Sequence, residues 1–265
     1  MFPIQAYVGA GLDCSRKSNE WIARLIPDIS FNLTSVRCLQ RLASSLRTDR
    51  SASLLVIGGG KQRRWLDQIL KPFPHILCVY SDVDVRADVD YFFDAHEIPF
   101  VDGTFDGVIV SAVLEHVLSP ERVVQELRRV LKTEGFVYSE VPFMQQVHEG
   151  AYDFTRYTLS GHRRLFNYFD EVEGGMVAGP GTVLAWTLEN FVLAFLEGPK
   201  SRLAAKALVR LAVFWMKYFD FFLVNKQAAF DAASCTYFLG RKREQAVPDE
   251  EIIRGYRGAK TMRHV

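Results

Sequence analysis

The chain has 265 residues, 49% of them hydrophobic, and a formal net charge of +1. That is enough for one large domain with a sizeable core. The near-neutral balance gives no electrostatic footprint for nucleic acid, and the composition excludes wholesale disorder.

The four cysteines, Cys14, Cys38, Cys78 and Cys235, form no CxxC pair. A cysteine zinc site or disulfide framework is therefore not expected, and a reduced, cytoplasmic setting is. The opening "MFPIQAYVGAGLDCSRK" lacks the charged start and long apolar core of a signal peptide. No apolar run reaches the roughly 18–20 uncharged residues of a spanning helix.

In chain order, "SNEWIARLI" with Ser18 as cap and "LTSVRCLQRLASSL" predict two helices. "SASLLVIGGGK" predicts a buried strand entering a glycine turn, and "RRWLDQIL" a helix. "HILCVYSDVD", "VDYFFDAH" and "TFDGVIVSAV" predict three more strands. "SPERVVQELRRVLK" predicts a helix with Ser119 at its N-cap, Pro120 at its first position and Gly135 as its stop. "GFVYSEVPF" predicts a fifth strand. A polar, aromatic loop follows, then a helix from about Leu159, two very apolar helical segments beyond Gly181, and "SCTYFLGRK" as a last strand.

Strands alternating with helices predict an α/β, doubly wound parallel sheet with helices on both faces. Ligands of such sheets bind beyond the carboxyl ends of the strands. There the sequence places Gly58 and Gly60, Asp82, Asp94 and Ser111. "GGGKQR" fits neither GxxxxGK[ST] nor GxGxxG, because Arg63 stands at the third glycine position. It suits a nucleoside cofactor without a pyrophosphate. Asp82, with Asp84 as the alternative, could accept from a ribose diol. Asp94 could accept from an adenine amino group, with Ile98 and Phe100 walling the ring. Asp102 and Asp106 read as turn residues around Gly103.

"LLVIGGG", "SDVD", "DAHEIPFVDGTFDGVIVSAVLEHV", "PERVVQELRRVLKTEGF" and "EVPF" together resemble a class I S-adenosylmethionine (SAM)-dependent methyltransferase of the type 11 domain family. The resemblance covers residues 54–143. The later "VPFMQQVHEGAYDFTRYTLSGHRRLF" resembles a subgroup found among glycan-biosynthesis enzymes. The resemblance implies SAM as cofactor, with Gly58 and Gly60 under its methionine part. It implies Asp82 on the ribose, Asp94 and Ala95 at the adenine, and Ser111 lining the pocket. The family usually has an acid where Val56 stands and a further glycine where Gln62 stands.

For chemistry, His116 follows Glu115 directly after the fourth strand. His148 and Asp153, in the loop after the fifth, could form an oriented base. Arg156 could grip an anionic group as a fork and Tyr157 could line the acceptor site. Some ubiquinone-pathway relatives hold a divalent metal with the Glu-His pair and an acid three residues earlier. That position is Ala112 here, so no metal is expected. "AAKALVRLAVFWMKYFDFF" predicts a helix whose apolar face is buried core or cap, or else meets a second copy or a membrane surface.

The expected organisation is an N-terminal helical cap (1–50), a Rossmann-like SAM-binding domain (51–180), a helical insertion (181–233), and a last strand with a tail (234–265). The expected activity is SAM-dependent methylation of a small molecule or glycan, at oxygen. The Val56 and Gln62 departures support the other reading, a non-catalytic SAM-fold binding or scaffold protein.

Overall fold

The computed structural model describes residues 26–260. The expected helix behind Ser18 therefore lies outside the described residues.

Seven strands form one sheet in the order β3-β2-β1-β4-β5-β7-β6. They are β1 (Ala52–Ile57), β2 (Ile76–Asp82), β3 (Tyr91–Phe92), β4 (Phe105–Ser111), β5 (Leu131–Pro142), β6 (Phe169–Ala178) and β7 (Cys235–Lys242). β1 to β5 run parallel, and β7 lies antiparallel between β5 and β6. Because the chain runs outward from β1 to β3 and then returns to β4, the strand order switches between β1 and β4. That switch point is where a sheet of this type receives a ligand.

The central strands are apolar on both sides because both faces are covered. Leu54 and Val56 of β1, Ile109 of β4 and Tyr138 of β5 pack on one side. There they meet α1 (Ser35–Ser45) and α2 (Arg63–Leu70) through Cys38, Leu39, Leu42, Leu66 and Ile69. Leu55 and Ile57, Val108 and Val110, and Val137 pack on the other side. They meet α3 (Pro120–Val130) and α4 (Leu159–Leu165) through Val123, Leu127 and Leu165.

Three local expectations change. α3 ends at Val130, short of Gly135, because Leu131 already pairs with Phe105 in the sheet. Ser119 sits at the N-cap, but its side chain makes no capping bond; its N–H instead donates to His96 Nε2 at 3.2 Å. β6 was not expected. Gly103 does take the left-handed φ of +66°. Its neighbouring acids bond elsewhere: Asp102 accepts from Arg129 at 2.8 Å, and Asp106 from Lys132 at 2.7 Å and the Ser53 N–H at 2.9 Å.

Between β6 and β7 the chain forms α5 (Pro180–Leu193), α6 (Pro199–Val213), a tight helical turn at Phe214–Phe219, α7 (Asp220–Leu223) and α8 (Gln227–Phe230). α9 (Asp249–Arg254) follows β7. No described helix is long and apolar enough to cross a membrane. The expected buried apolar face of α6 is met only at Val213, while Leu208 and Leu211 stand exposed. The charged residues of this segment act as anchors. Wholly buried Asp220 caps α5, accepting from the N–H groups of Gly179 (3.0 Å), Gly181 (2.7 Å) and Thr182 (3.0 Å) and from the Thr182 hydroxyl (2.7 Å). Arg210 pairs with Glu189, and the Lys217 ammonium donates to the Asp28 carbonyl at 2.6 Å.

Candidate active site

The site is built from the carboxyl ends of five strands. β1 runs into Gly58, with φ +68°. A Cβ there would lie 2.4 Å from Val113 Cγ2, so only glycine lets the turn meet the loop after β4. A Cβ on Gly60 would lie 2.5 Å from the Ala87 Cβ and 3.0 Å from Asp82 Oδ2. This close approach places the Gly60 N–H 3.2 Å from Asp82 Oδ2, and Asp82 Oδ1 accepts from the Asp84 N–H at 3.0 Å. The half-buried Asp82 carboxylate is thus aimed along the glycine turn. Asp84 is engaged differently. Arg86 grips both of its oxygens at 2.9 Å, and that hydrogen bonding lowers its pKa to about 2. Arg63 turns away from the glycines to pair with Asp90 at 3.1 Å, over the Tyr80 ring.

Asp94 follows β3. Its Oδ1 accepts from the His96 N–H at 2.9 Å and lies 2.6 Å from His96 Nδ1. Asp94 is exposed and Ala95 buried beside it. Ile98 is core, and Phe100 packs edge-on against Tyr91, Phe93 and Phe105.

Ser111 ends β4 and donates to Glu140 Oε2 at 2.7 Å. Glu140 Oε1 also accepts from the Tyr138 hydroxyl at 2.5 Å and from Ser35 of α1. The sequence reading missed Glu140; its only signal was an acid in the otherwise apolar end of β5. Ala112 follows with φ +54°, a conformation costly for a residue with a side chain. It turns the chain into the helical turn Leu114–His116.

That turn and the loop after β5 bring the two candidate histidines together. His116 Nε2 lies 3.1 Å from His148 Nε2. His116 Nδ1 lies 2.7 Å from the Tyr152 carbonyl oxygen. His148 Nδ1 lies 3.3 Å from Asp153 Oδ2, which also accepts the His148 backbone N–H at 2.9 Å. Glu115 Oε1 lies 3.7 Å from His116 Nε2 and 4.0 Å from His148 Nε2. Glu115 is only 1% exposed, and its Oε2 has no hydrogen-bond partner. Burial raises the Glu115 carboxyl to about 7 and lowers the His116 imidazole. Lys61, in the glycine turn, reaches Glu149 of the same loop at 3.7 Å, so this loop lies over the turn.

Asp153 is held well below the usual carboxylate range, chiefly by Arg156. Arg156 donates to both Asp153 oxygens and to the carbonyls of Gln145, Gln146 and Thr155. A guanidinium has five N–H donors. All five are spent inside the loop, so Arg156 braces it and leaves none for a substrate anion. Tyr157 is also placed differently from expectation. It packs against the core beside α3 and α4 and borders an outer groove of about 1230 Å³, with burial raising its hydroxyl to about 12.

The sheet order and the site residues together agree with what the chain is similar to. The family model of the methyltransferase domain matches residues 82–139, from the tip of β2 through most of β5. No match is found among curated proteins. The solved MccD protein shares the fold at a TM-score of 0.52 and 12% identity, covering 81% of this chain and 100% of its own. A Galdieria sulphuraria protein assigned as a sarcosine dimethylglycine methyltransferase superposes at 0.50 and 16%, covering 82% and 94%. The Haloferax volcanii protein solved with the Trm112 methyltransferase activator does so at 0.50 and 15%, covering 77% and 88%. At these identities the superpositions establish the fold.

Over residues 82–139 the chain is similar to the methyltransferase domain family, and its sheet has the fold of solved SAM-dependent methyltransferases. SAM is the methyl donor this domain family implies. The donor set fits it: two glycines at the β1 tip, a half-buried carboxylate at the β2 tip beside the Gly60 N–H, and an exposed carboxylate after β3. The β1 tip is apolar, because Val56 lies in the core.

Proposed function

We propose that the protein transfers a methyl group to a hydroxyl oxygen of a small molecule or glycan, activated at the Glu115, His116 and His148 cluster. The observation that carries this reading is the pair of imidazole Nε2 atoms 3.1 Å apart, each with its Nδ1 engaged by the loop. SAM supplies a methyl already activated on sulfonium, so the protein's task is to align the acceptor and exclude water. An unactivated hydroxyl must also lose its proton as the new C–O bond forms. Here the Tyr152 carbonyl holds the His116 ring with its proton on Nδ1. Nε2 is left as an acceptor, and burial keeps this ring neutral at neutral pH. His148 is oriented in the same way by Asp153, which Arg156 keeps ionised. The proton released from the acceptor passes to an Nε2, while S-adenosylhomocysteine leaves as the other product. Asp82 and the glycine turn are assigned to the ribose and methionine parts of the donor, and Asp94 with Ala95 to the adenine.

The test is a screen of hydroxylated acceptors, nucleotide sugars, lipid-linked glycans and quinone precursors, read by homocysteine release. Each histidine is then replaced. A base contributes about 10²–10⁴-fold, so His116→Ala and His148→Ala should lower turnover in that range with SAM binding unchanged. SAM binding without turnover on any acceptor would instead favour the scaffold reading.

A further inference from the structure

We propose that Glu115, His116 and His148 form a binding site for one divalent cation of the zinc class, held by Nε2 of each histidine and the carboxylate of Glu115. These are the metal-capable groups whose ligand atoms converge among the described residues.

The first argument is geometric. The three donor atoms form a triangle with sides of 3.1, 3.7 and 4.0 Å. The point equidistant from the three corners of such a triangle lies about 2.1 Å from each, which is the length of a zinc–imidazole or zinc–carboxylate bond. Small shifts of side chains, without any movement of the backbone, would seat an ion there.

The second argument is about protons. His116 Nδ1 lies against a carbonyl oxygen, which can only accept. That nitrogen therefore carries the proton. His148 Nδ1 faces a carboxylate kept ionised by Arg156, so it carries the proton too. The two Nε2 atoms, the remaining ring nitrogens, face each other across 3.1 Å. Two lone pairs at that distance repel unless a proton or a metal cation lies between them. A carbonyl on one Nδ1 and a carboxylate on the other is also how ligating histidines are fixed around metals.

The third argument is the unpaired oxygen. Glu115 Oε2 is buried without a partner. Buried carboxylate oxygens are satisfied in folded proteins as a rule, and an orphan asks for an explanation. A cation chelated through both oxygens of this carboxylate supplies one.

Two nitrogen donors and one carboxylate favour zinc and its borderline neighbours over magnesium, which prefers oxygen and keeps its waters. Ala112 had argued against a metal in the sequence. His148 supplies the third donor from a loop 32 residues beyond His116. Three protein ligands leave a fourth position open. If the methyl-transfer reading holds, that position would take the acceptor's oxygen and lower its pKa, replacing proton transfer to an Nε2, whose lone pair the ion would occupy; the metal site itself does not depend on that reading.

The experiment uses the untagged full chain, stripped with EDTA and dialysed. Zinc and magnesium are titrated separately against a competing chelator, and bound metal is counted by mass spectrometry. SAM affinity is measured in parallel by calorimetry. The expected result is one zinc per chain, bound at least 100-fold tighter than magnesium. Glu115→Gln, His116→Ala and His148→Ala should each weaken zinc at least 10-fold, with SAM affinity and circular dichroism unchanged. Zinc below a tenth of an equivalent in the wild type overturns the proposal, as does unchanged zinc affinity in His148→Ala. A chain that binds SAM but not zinc thus removes the metal and leaves the methyltransferase reading standing. A chain that binds zinc but transfers no methyl does the reverse.

Discussion

His162 gives a test of the fold that needs no ligand. Its imidazole is fully buried on the sheet-facing side of α4, with Nδ1 3.0 Å from the Thr236 hydroxyl and Nε2 3.0 Å from the Ser139 hydroxyl. Burial alone lowers it to about 3. An unfolded chain would hold the same ring near its ordinary value of about 6.5. The sign follows from proton counting. Between about pH 6.5 and 3 the unfolded state binds a proton that the folded state refuses, so stability falls as pH falls through that window. Above about 6.5 neither state binds it, and the effect vanishes. At pH 5.0 the loss is about 1.4 kcal/mol for each pH unit below 6.5, hence about 2 kcal/mol relative to pH 7.5. Urea unfolding at pH 7.5 and 5.0, in the wild type and in His162→Asn, isolates the contribution. The variant should be less stable at pH 7.5, because it loses a hydroxyl partner. It should also lose about 2 kcal/mol less than the wild type on going to pH 5.0. Equal losses in the two proteins would show that the buried imidazole accepts its proton inside the fold, and the reasoning would fail.

Other outcomes are as specific. Asp82→Ala should weaken SAM binding by about 1.5–3 kcal/mol, the range for hydrogen bonds to a charged group, measured by calorimetry at unchanged melting temperature. Gly58→Ala forces a Cβ onto Val113 at positive φ. It should cost about 1–3 kcal/mol in urea titrations, in the range for strained backbone. Asp220→Ala leaves four buried donors at the start of α5 without their acceptor. Its expected cost is about 2–4 kcal/mol, somewhat above that of an ordinary cap because the site is dry.

The parts of this protein that could be read from its sequence are the parts decided locally. β1, β4 and β5 are apolar on both sides because both faces are covered, and a short run of such residues ending in glycine or an acid has few other interpretations. β6 carries no such pattern. Its first half holds Asp170, Glu171 and Glu173, whose charges are met by Arg243, Arg163, Arg257, Arg37 and Arg41 from elsewhere in the chain. An edge strand guarded by charge looks like a loop until its partners are known. The site divides in the same way. Gly58, Gly60 and Asp82 stand at strand tips, and the strands placed them. The meeting of His116 with His148 depends on the path of a long loop, and that path depends on Arg156 being consumed inside it. Nothing in the residue types distinguishes an arginine that holds a substrate from one that holds its own loop.

The placement of β7 has a consequence for synthesis on the ribosome. Cys235 follows Ala178 by 57 residues, and β7 is the only strand joining β5 to β6. At ~5–20 residues per second, β6 waits roughly 3–11 s for the strand it pairs with. Throughout that interval β5 and β6 each present an open row of backbone donors and acceptors, the template for pairing with another nascent chain. Ribosome-stalled chains ending before residue 235 should therefore be digested readily by protease within 169–178, and chains extended well past residue 242 should not. The helices between β6 and β7 thus set a timer, and their length fixes how long each new molecule stays open at the edge that its last strand will close.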